Sequence, residues 1–480
     1  MHQPVRKICI FGAGSAGWVT VLGLKALLPG VDITIICPNK HGSIGVGEST
    51  LPDLLWLLDQ AGIDLPHFMA NTDSVFKHGM YFKNWNGEGT HYWHPFSSLE
   101  REGTMYSRAH HYHMMSKLDP IGFPRKDYYQ RVHPSWTLAI ENNLSSTDMG
   151  HALHVNAIEF ANYIKDFVKD SVRVIDAETF DIKHSDIKIE SITVNGNTTI
   201  EADLFIDCTG FNKALISKIS DLEHDNYEAN VNVALFGRVQ YDHPMVKFIP
   251  YTKGEATKNG WVWTTPIRSQ VGTGYCYHSD FTTEEEARAD FIKYWGGALK
   301  EENIRKIPFS STSLKQPWVG NVVAIGLSSG WVEPLEATGL STFIQAISSL
   351  TRFLANHYYD EDVINRYNAN TVNHIEDIKD FIDVHYILSA RRDSKFWQWA
   401  TSREIHPRLK AKLEVYRKFM PNLNNRNQTY SWAFNDISWI DTLTGYDFEF
   451  DPIPTTPLWL LNKRDMEIYT DFNKMIKGHQ

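Results

Sequence analysis

The sequence predicts a mixed α/β fold built around a dinucleotide-binding unit, followed by a mostly helical C-terminal part. A glycine-rich turn between an apolar strand and a helix stands near the start of the chain, and strand-like runs recur as far as residue 325. Helical spacing of apolar residues dominates after residue 340. We therefore expect residues 1–355 to form an α/β part with inserted segments, and residues 356–480 to form a helical part that completes a pocket.

The composition is that of a globular protein with a large core. Of the 480 residues, 42% are hydrophobic and 22% are charged, which suits one large fold or several subdomains. The 15 Trp and 21 Tyr residues supply enough aromatic surface for a core and also for a pocket that takes a flat ligand. The net charge of −10 argues against a surface that binds nucleic acid.

Two further patterns bear on location. The N-terminus lacks the pattern of a signal peptide, and no run approaches the roughly 18 apolar residues of a spanning helix, so we expect no membrane association. No cysteine belongs to a CxxC pair, which favours reduced, buried thiols and a cytoplasmic location. The four cysteines are Cys9, Cys37, Cys208 and Cys276.

The first βαβ unit occupies residues 7–37. The run "KICIF" predicts a buried strand, the helix is expected over Ser15–Leu27, and "VDITIIC" predicts the second strand. The GxGxxG turn between strand and helix lets backbone N–H groups and the helix N-terminus face a pyrophosphate, although a purely structural glycine turn would look the same. The turn residues expected to face a cofactor are Gly12, Gly14, Ser15, Ala16 and Gly17.

One feature of this unit departs from the dinucleotide-binding pattern. The acidic residue expected at the end of the second strand, where it would bind the ribose hydroxyls, is missing. Cys37 stands there instead, followed by Pro38, Asn39 and Lys40. Ribose recognition then falls to Asn39, or it is weaker.

Several later runs predict strands, turns and one helix. "FKHGMYFKNW" at 76–85 alternates like a single strand, which would put Lys77, Gly79 and Tyr81 on one face, with Gly79 leaving room beside the lysine. Residues 157–169 predict a helix, and "VNGN" at 194–197 predicts a hairpin. "ADLFIDCTGF" at 202–211 reads as a buried strand, and "GWVWTTPI" with "GTGYCYHSDF" as an antiparallel pair.

The histidine run "HHYH" at 110–113 is a candidate metal site. His110, His111 and His113 have no accompanying cysteine or carboxylate set at ligand spacing. We expect no metal, and a polar or half-buried surface instead.

The run "GWVEPLEATGL" at 330–340 places two glutamates, Glu333 and Glu336, in an otherwise apolar region. Thr338 and Gly339 open an amphipathic helix, whose first N–H groups are free donors for an anion. An ordinary threonine cap is the alternative. The run therefore predicts an anion site beside buried carboxylates.

Together, these motifs resemble the flavin-dependent tryptophan halogenase family. The motifs run in family order along nearly the whole chain, and the fold implied is that of two-dinucleotide-binding-fold flavoproteins. The matching runs are GxGxxG at 12–17, "GVGEST" at 45–50, "FKHG…NW" at 76–85, "HPF" at 94–96, "FIDCTGF" at 205–211, "GWVWTTP" at 260–266, "GLSSGWVEPLEATGL" at 326–340, "DFIDVHY" at 380–386 and "RRDSKFW" at 391–397.

The resemblance implies a two-component enzyme. A separate NAD(P)H-dependent flavin reductase supplies FADH2, and hypohalous acid forms at the flavin from O2 and chloride or bromide. The acid then travels through a tunnel to Lys77, beside an aromatic small molecule. Glu336 assists removal of the ring proton and orients the electrophile with Lys77.

The resemblance assigns further residues to the site. Gly47, Glu48 and Leu327 are implied near the flavin, and Thr338 and Gly339 at the halide. Trp261 and Trp263 are implied along the passage near the flavin, where they keep it from acting as a monooxygenase, and His94 and Phe96 on the substrate ring. Each assignment has a structural alternative. Trp261 and Trp263 could be core tryptophans, and His94 a structural histidine. Lys77 could be a solvated strand lysine and Glu336 a helix-start carboxylate, whereas Glu333 is expected to be structural.

Two departures from the family pattern limit what it implies. Ala337 stands where well-known members carry serine, which affects halide preference. The segment at 431–448 lacks the aromatic–acid pattern that holds free tryptophan, so an indole, a phenol or another electron-rich arene fits equally well. The alternatives are a flavin-dependent aromatic hydroxylase and a flavoprotein that only binds a ligand, and a homodimer is a further possibility.

Overall fold

The computed structural model describes residues 3–38, 47–96, 107–422 and 433–450. The predicted βαβ unit forms the centre of a six-stranded sheet, with parallel strands Lys7–Phe11 and Asp32–Pro38 flanking helix Ser15–Leu27 in sequence. Neighbouring strands are parallel except at the edge formed by Trp318–Val319. In spatial order the strands are Trp318–Val319, Val322–Ala324, Leu204–Asp207, Lys7–Phe11, Asp32–Pro38 and Arg173–Ala177. This parallel sheet confirms the predicted α/β class.

A second, seven-stranded sheet is mostly antiparallel. The predicted pair is confirmed, because Gly260–Pro266 lies antiparallel to Val271–Tyr277 over its full length. One parallel contact, between Thr252–Ala256 and Gly79–Lys83, joins this meander to the strand that follows Lys77. In spatial order the strands are Arg305–Pro308, Val233–Val239, Val271–Tyr277, Gly260–Pro266, Thr252–Ala256, Gly79–Lys83 and His91–Pro95.

The prediction of one continuous strand over residues 76–85 was wrong. Val75–Lys77 pairs with Ala152–Asn156 in a small antiparallel sheet, whereas Gly79–Lys83 belongs to the seven-stranded sheet. His78 connects the two sheets, since its N–H donates to Pro250 O at 2.9 Å. Lys77 therefore ends a strand at the junction of two sheets, which alternation alone does not reveal.

Gly79 also has a different task from the one predicted. A Cβ there would lie 2.5 Å from His94 O and 2.8 Å from Pro95 Cα, so the glycine admits the backbone of the neighbouring strand. It does not simply leave space beside Lys77.

The other strands form small sheets. The predicted hairpin is confirmed: Ile189–Val194 pairs with Thr198–Ile200, and Asn195 and Gly196 both have positive φ, as a type I′ turn requires. The three-stranded sheets are Gly47–Ser49 with Ala152–Asn156 and Val75–Lys77, Phe180–His184 with Ile189–Val194 and Thr198–Ile200, and His224–Asn226 with Thr312–Leu314 and Gly330–Trp331; Gln3–Pro4 pairs with Tyr358–Tyr359.

Helices cover the sheets and dominate the C-terminal part. The helix predicted at 157–169 spans Ala157–Val168, capped by the Asn156 side chain, and the helix predicted after Gly339 begins at Thr338. The helices of at least five residues are Ser15–Leu27, Asp53–Gln60, Leu65–Asn71, Arg108–Leu118, Tyr128–Val132, the π-helix Trp136–Glu141, Ala157–Val168, Glu284–Tyr294, Thr338–Phe353, Glu361–Ile387, Lys395–Ala400, Pro407–Lys418 and Asp436–Gly445.

The largest apolar core lies between the seven-stranded sheet and the C-terminal helices. It contains fully buried tryptophans from both, including Trp85, Trp261, Trp397 and Trp439. The division at residue 355 remains a prediction, although this core draws on residues from both sides of it.

The histidine run does not lie on a surface, contrary to expectation. His110, His111 and His113 are buried in helix Arg108–Leu118, because this helix packs against Tyr128–Val132 and Asp436–Gly445. Burial lowers the pKa of all three, for His110 and His113 to about 3. Among the described residues, no group of three or more His, Cys, Asp or Glu side chains is placed to hold a metal ion.

Two other expectations concern thiols and membranes. All four cysteines are free and buried, as predicted. Within the described ranges, no helix is both long enough and apolar enough to cross a bilayer.

Candidate active site

The glycine turn of the six-stranded sheet has the geometry of a phosphate cradle. Gly12 has a φ of 111° and a Cβ there would lie 2.5 Å from Cys208 O, while a Cβ on Gly17 would lie 2.0 Å from Gly12 O. Both positions therefore require glycine. Gly14 is exposed, caps the helix without any side-chain bond, and has nothing within 4 Å of its Cβ position. Free helix N–H groups and open space fit the pyrophosphate of FAD.

Residues distant in sequence complete the surroundings of this cradle. Leu327 is half-buried in the short helical turn Gly326–Ser328, and Gly326 packs so closely on Ala16 that a Cβ there would approach it to 2.9 Å. Glu48 follows Gly47 in a short strand, and burial raises its pKa to about 7. The structure thus brings Ala16 and Leu327 to one place, whereas their contacts with a flavin remain a prediction.

The ribose position keeps its departure from the pattern. Cys37 is buried, and burial raises the pKa of its thiol to about 11, so it cannot act as the missing acid. Asn39 lies outside the described residues.

Lys77 is a completely buried lysine with few partners. Its Nζ donates to Thr50 O at 2.9 Å and lies 4.7 Å from the centre of the Phe96 ring. No carboxylate of the described residues forms an ion pair with it. Burial lowers the pKa of Lys77 to about 7, although the charges of Glu336 and Asp53 act in the opposite direction. The lowered pKa favours the neutral amine, which has spare hydrogen-bonding capacity.

Glu336 is fully buried and held by His94. The Nδ1 of His94 lies 3.0 Å from Oε1 and 2.9 Å from Oε2 of Glu336, and the Nε2 of His94 lies 2.8 Å from Ser438 Oγ. Both ring nitrogens of His94 are therefore engaged, so any stacking on a substrate would use its ring face. Phe96 is half-buried beside Lys77, and the roles predicted for His94 and Phe96 on a substrate remain predictions.

A second histidine, which the motif analysis did not assign to the site, holds Glu336 from another side. His385 Nε2 lies 3.3 Å from Glu336 Oε1, and its Nδ1 is hydrogen-bonded to the Tyr92 hydroxyl. Burial alone would raise the pKa of Glu336, but His94 and His385 outweigh burial and lower it to about 2. The one signal for His385 was a histidine in the apolar helical run "DFIDVHY".

The backbone around Glu336 is strained. Glu336 and Ala337 both have left-handed backbone conformations, with φ of 65° and 59°, which is rare for residues other than glycine. The turn reverses the chain just before helix Thr338–Phe353, which has no side-chain cap and no acid in its first turn. Its N-terminal end therefore suits an anion, as predicted from the sequence.

Thr338 and Gly339 line a small cleft at this helix end. Trp331, Phe343 and Ile378 contribute apolar walls to the same cleft. A Cβ on Gly339 would lie 2.9 Å from the Trp331 ring, so the glycine permits close packing there. Halide binding by Thr338 and Gly339 remains a prediction.

The two tryptophans of the "GWVWTTP" strand lie next to each other. Trp261 is 1% exposed and lies 6.0 Å from Trp263, which is half-buried. The Trp263 ring lies directly over Gly274, where a Cβ would be 2.0 Å from it. Trp261 belongs to the apolar core with Trp85, which agrees with the alternative of a core tryptophan. The role predicted for the Trp261 and Trp263 rings beside the flavin remains a prediction.

Glu333, three residues before Glu336, has a separate set of partners. Its Oε1 accepts from Tyr386 Oη at 2.7 Å, and its Oε2 accepts from Asn230 Nδ2 at 2.9 Å. Burial raises the pKa of Glu333 to about 7 against these hydrogen bonds. These contacts tie the loop to helix Glu361–Ile387, which agrees with a structural role.

Comparison with known proteins identifies the family. A family model described as tryptophan halogenase matches residues 7–455. Tryptophan 7-halogenase RebH of Lentzea aerocolonigenes is 29% identical over 453 residues, which cover 88% of this chain and 83% of that one. Tryptophan 6-halogenase SttH of Streptomyces toxytricini is 27% identical over 445 residues, covering 87% and 85%.

A solved structure agrees with this assignment. The fold is similar to Xcc4156, a flavin-dependent halogenase from Xanthomonas campestris, with a TM-score of 0.83 and 26% identity over 99% of this chain and 95% of that one. Because the family model spans nearly the whole sequence, this protein belongs to the tryptophan halogenase family and is a flavin-dependent halogenase.

Proposed function

We propose that this enzyme halogenates an electron-rich aromatic small molecule, such as an indole or a phenol. When bound, reduced FAD supplies hypohalous acid from O2 and chloride or bromide. A separate NAD(P)H-dependent flavin reductase is the expected source of FADH2. The observation that carries the proposal is Lys77, a fully buried amine with one hydrogen-bond acceptor and no ion-pair partner among the described residues.

Lys77 holds and presents the electrophile. The amine has three sites for hydrogen or halogen, and Thr50 O occupies one of them. Its lowered pKa gives it a neutral fraction near pH 7, which can hold hypohalous acid by a hydrogen bond or form a haloamine. The Phe96 ring at 4.7 Å shields this amine from water.

Glu336 accepts the ring proton after the carbon–halogen bond has formed. The carboxylate stays ionised because His94 and His385 lower its pKa to about 2. A cationic ring intermediate is a very strong acid, so even a weakly basic carboxylate suffices to remove its proton. The charge of Glu336 raises the pKa of Lys77, and this interaction supports a site shared by the base and the electrophile.

The first turn of helix Thr338–Phe353 is proposed to bind the halide. Its N–H groups have no side-chain cap, and Gly339 lets the backbone approach closely. Ala337 offers no hydroxyl here, so selectivity between chloride and bromide depends on backbone groups and the size of the cleft. Trp261 and Trp263 are proposed to separate this region from the substrate.

The substrate class is tested by a direct screen. The enzyme is supplied with FAD, a flavin reductase, NADH, O2 and either bromide or chloride, and tryptophan, other indoles and phenols are compared by mass spectrometry. Halogenated product from the wild type and none from Glu336→Gln supports the proposal. A hydroxylated product without halogenation would identify a hydroxylase, and flavin binding without turnover of any arene would identify a ligand-binding protein.

A further inference from the structure

The environment of Glu336 contains more than its proposed role as a base requires. Two histidines contact one carboxylate, and behind one of them stand two buried tyrosines, Tyr92 and Tyr446. The hydroxyls of the two tyrosines lie 3.1 Å apart. Catalysis by Lys77 and Glu336 alone does not require His385, Tyr92 or Tyr446.

The hydrogen-bond directions around His385 follow from its partners. The Nε2 of His385 lies 3.3 Å from Glu336 Oε1, within ion-pair distance but outside hydrogen-bond geometry. Glu336 is ionised and can only accept, so the His385 tautomer that carries its proton on Nε2 is the one that favours this contact. The Nδ1 of neutral His385 is then an acceptor, and the Tyr92 hydroxyl donates to it. The Tyr446 hydroxyl can in turn donate to Tyr92 Oη. Tyr92 thereby selects the tautomer of His385 that can bind the carboxylate.

The two oxygens of Glu336 are left unequal by this arrangement. Among the side chains that the structure describes, His94 and His385 both contact Oε1, whereas only His94 contacts Oε2. Oε2 therefore keeps a lone pair available for a proton from a substrate. A left-handed backbone is strained for a glutamate and persists where surrounding contacts hold it. The contact from His385 therefore also helps to keep Oε2 of Glu336 pointing in one direction.

From this geometry, and resting on the proposed role of Glu336, we infer that His385 is a positioning residue for the base. With its tautomer selected by Tyr92, it fixes Oε1 and leaves Oε2 as the oxygen that accepts the ring proton. In the step itself, the ring C–H bond breaks, the proton goes to Oε2 and the electron pair returns to the aromatic system. The halogenated product leaves neutral.

The groups around the carboxylate decide how it responds to pH. Lys77, His94, His385, Tyr92 and Tyr446 interact electrostatically with Glu336. Burial lowers the pKa of His385, although its contact with Glu336 acts in the opposite direction. Loss of His385 removes stabilisation of the ionised carboxylate and so raises the pKa of Glu336.

The test compares variants of the full-length enzyme loaded with FADH2, O2 and bromide, with an indole identified by the screen. His385→Leu removes the donor, His385→Gln places an amide N–H near the position of Nε2, and Tyr92→Phe removes the group that selects the tautomer. Tyr112→Phe is the matched control, since its hydroxyl donates to Pro124 O away from Glu336. Circular dichroism and thermal unfolding verify that each variant is folded.

The decisive readout is the isotope effect with ring-deuterated substrate. We expect a value near unity for the wild type and for Tyr112→Phe, because proton removal is fast when the base is in place. His385→Leu and Tyr92→Phe are expected to lower halogenation about 10- to 100-fold. Both should show an isotope effect well above unity, and His385→Gln should recover part of the rate.

The outcomes separate this inference from the proposed function. If Glu336→Gln is inactive and folded His385→Leu halogenates at the wild-type rate without an isotope effect, the clamp is refuted while the base is retained. A slower His385→Leu without an isotope effect would also refute it, since that pattern indicates only a structural change. If Glu336→Gln remains active, the proposed role of Glu336 as the base fails, and the inference about His385 fails with it.

Discussion

Two buried lysines, Lys77 and Lys412, are held in opposite ways. The Lys412 ammonium lies 2.6 Å from Asp377 Oδ1 and 3.2 Å from Asp380 Oδ2, so its charge is fully compensated. Lys77, equally buried, has a backbone carbonyl and the face of an aromatic ring instead. The cluster around Lys412 joins helices Glu361–Ile387 and Pro407–Lys418, whereas Lys77 lies at the junction of two sheets.

The difference shows how the fold separates stability from reactivity. A buried charge is tolerated when carboxylates pair with it, and a buried amine without them titrates near neutral pH. The same contrast appears within one loop, because Glu336 is ionised between two histidines while the pKa of Glu333 is raised to about 7. Substitutions of the two lysines and of the two glutamates test whether residues with different surroundings also differ in function.

The largest expected effect concerns the two glutamates. Glu336→Gln should lower halogenation by about 10²- to 10⁴-fold, the contribution typical of a general base. Glu333→Gln is the matched control, and it should keep most activity because an amide can still accept from Tyr386 and the native carboxyl is already partly protonated near pH 7. Product formation per folded enzyme is the measurement. Equal losses in both variants would mean that Glu336 has no special role.

The next effect is on stability and concerns the lysines. Lys412→Met removes the ammonium that lies 2.6 Å from the buried Asp377, whereas Asp380 keeps its ion pair with Arg408. The change should cost about 3–5 kcal/mol in the free energy of unfolding. Lys77→Met removes an amine whose charged form is disfavoured in the fold, so it should not destabilise the protein at neutral pH. Chemical denaturation of both variants checks this contrast, and a destabilised Lys77→Met would show an unrecognised partner of Lys77.

The sign of the pH dependence follows from the lowered pKa of Lys77. Between about pH 7 and its ordinary value of 10.5, the unfolded chain binds more protons at this residue, so its contribution to stability rises with pH. The stability advantage of Lys77→Met over the wild type should therefore be greatest below pH 7 and shrink toward pH 10.5. Unfolding curves at several pH values measure it, and a constant difference would contradict a lowered pKa.

The smallest expected effect is a shift in the activity profile. If the neutral amine reacts, halogenation by the wild type should rise as the pH passes through about 7. The charge of Asp53 raises the pKa of Lys77. Asp53 Oδ2 also accepts a hydrogen bond of 2.5 Å from Ser341 Oγ. Asp53→Asn should therefore move this rise to slightly lower pH. A shift to higher pH, or a rate that falls above pH 7, would favour the cation as the active form.

Much of the scaffold followed from local patterns. The βαβ unit, the hairpin at Asn195 and Gly196, and the helix that starts at Thr338 each depend on residues close together in sequence. The change of sheet at His78 did not follow, because alternation looks the same whether a strand continues in one sheet or passes to another. Which sheet a residue joins is decided by distant partners such as Pro250.

The site was predictable only through its motifs. Residue type and family resemblance pointed to Lys77 and Glu336, but not to the surroundings that give them their chemistry. His94 and Glu336 are 242 residues apart, and no spacing rule connects them or brings His385 to the same carboxylate. The run at 110–113 is the opposite case. Its three histidines have the residue type of metal ligands, but the structure buries their side chains among packed helices.

Lys77 is proposed to carry the electrophile from the flavin to the substrate, and the ratio of product formed to flavin oxidised tests this role. Halogenated product formed per FADH2 oxidised is compared between the wild type, Lys77→Met and the control Lys83→Met, which removes an exposed lysine paired with Glu255. We predict normal FADH2 oxidation in all three, and loss of halogenated product in Lys77→Met alone. Halogenation by Lys77→Met at the wild-type ratio would contradict the account.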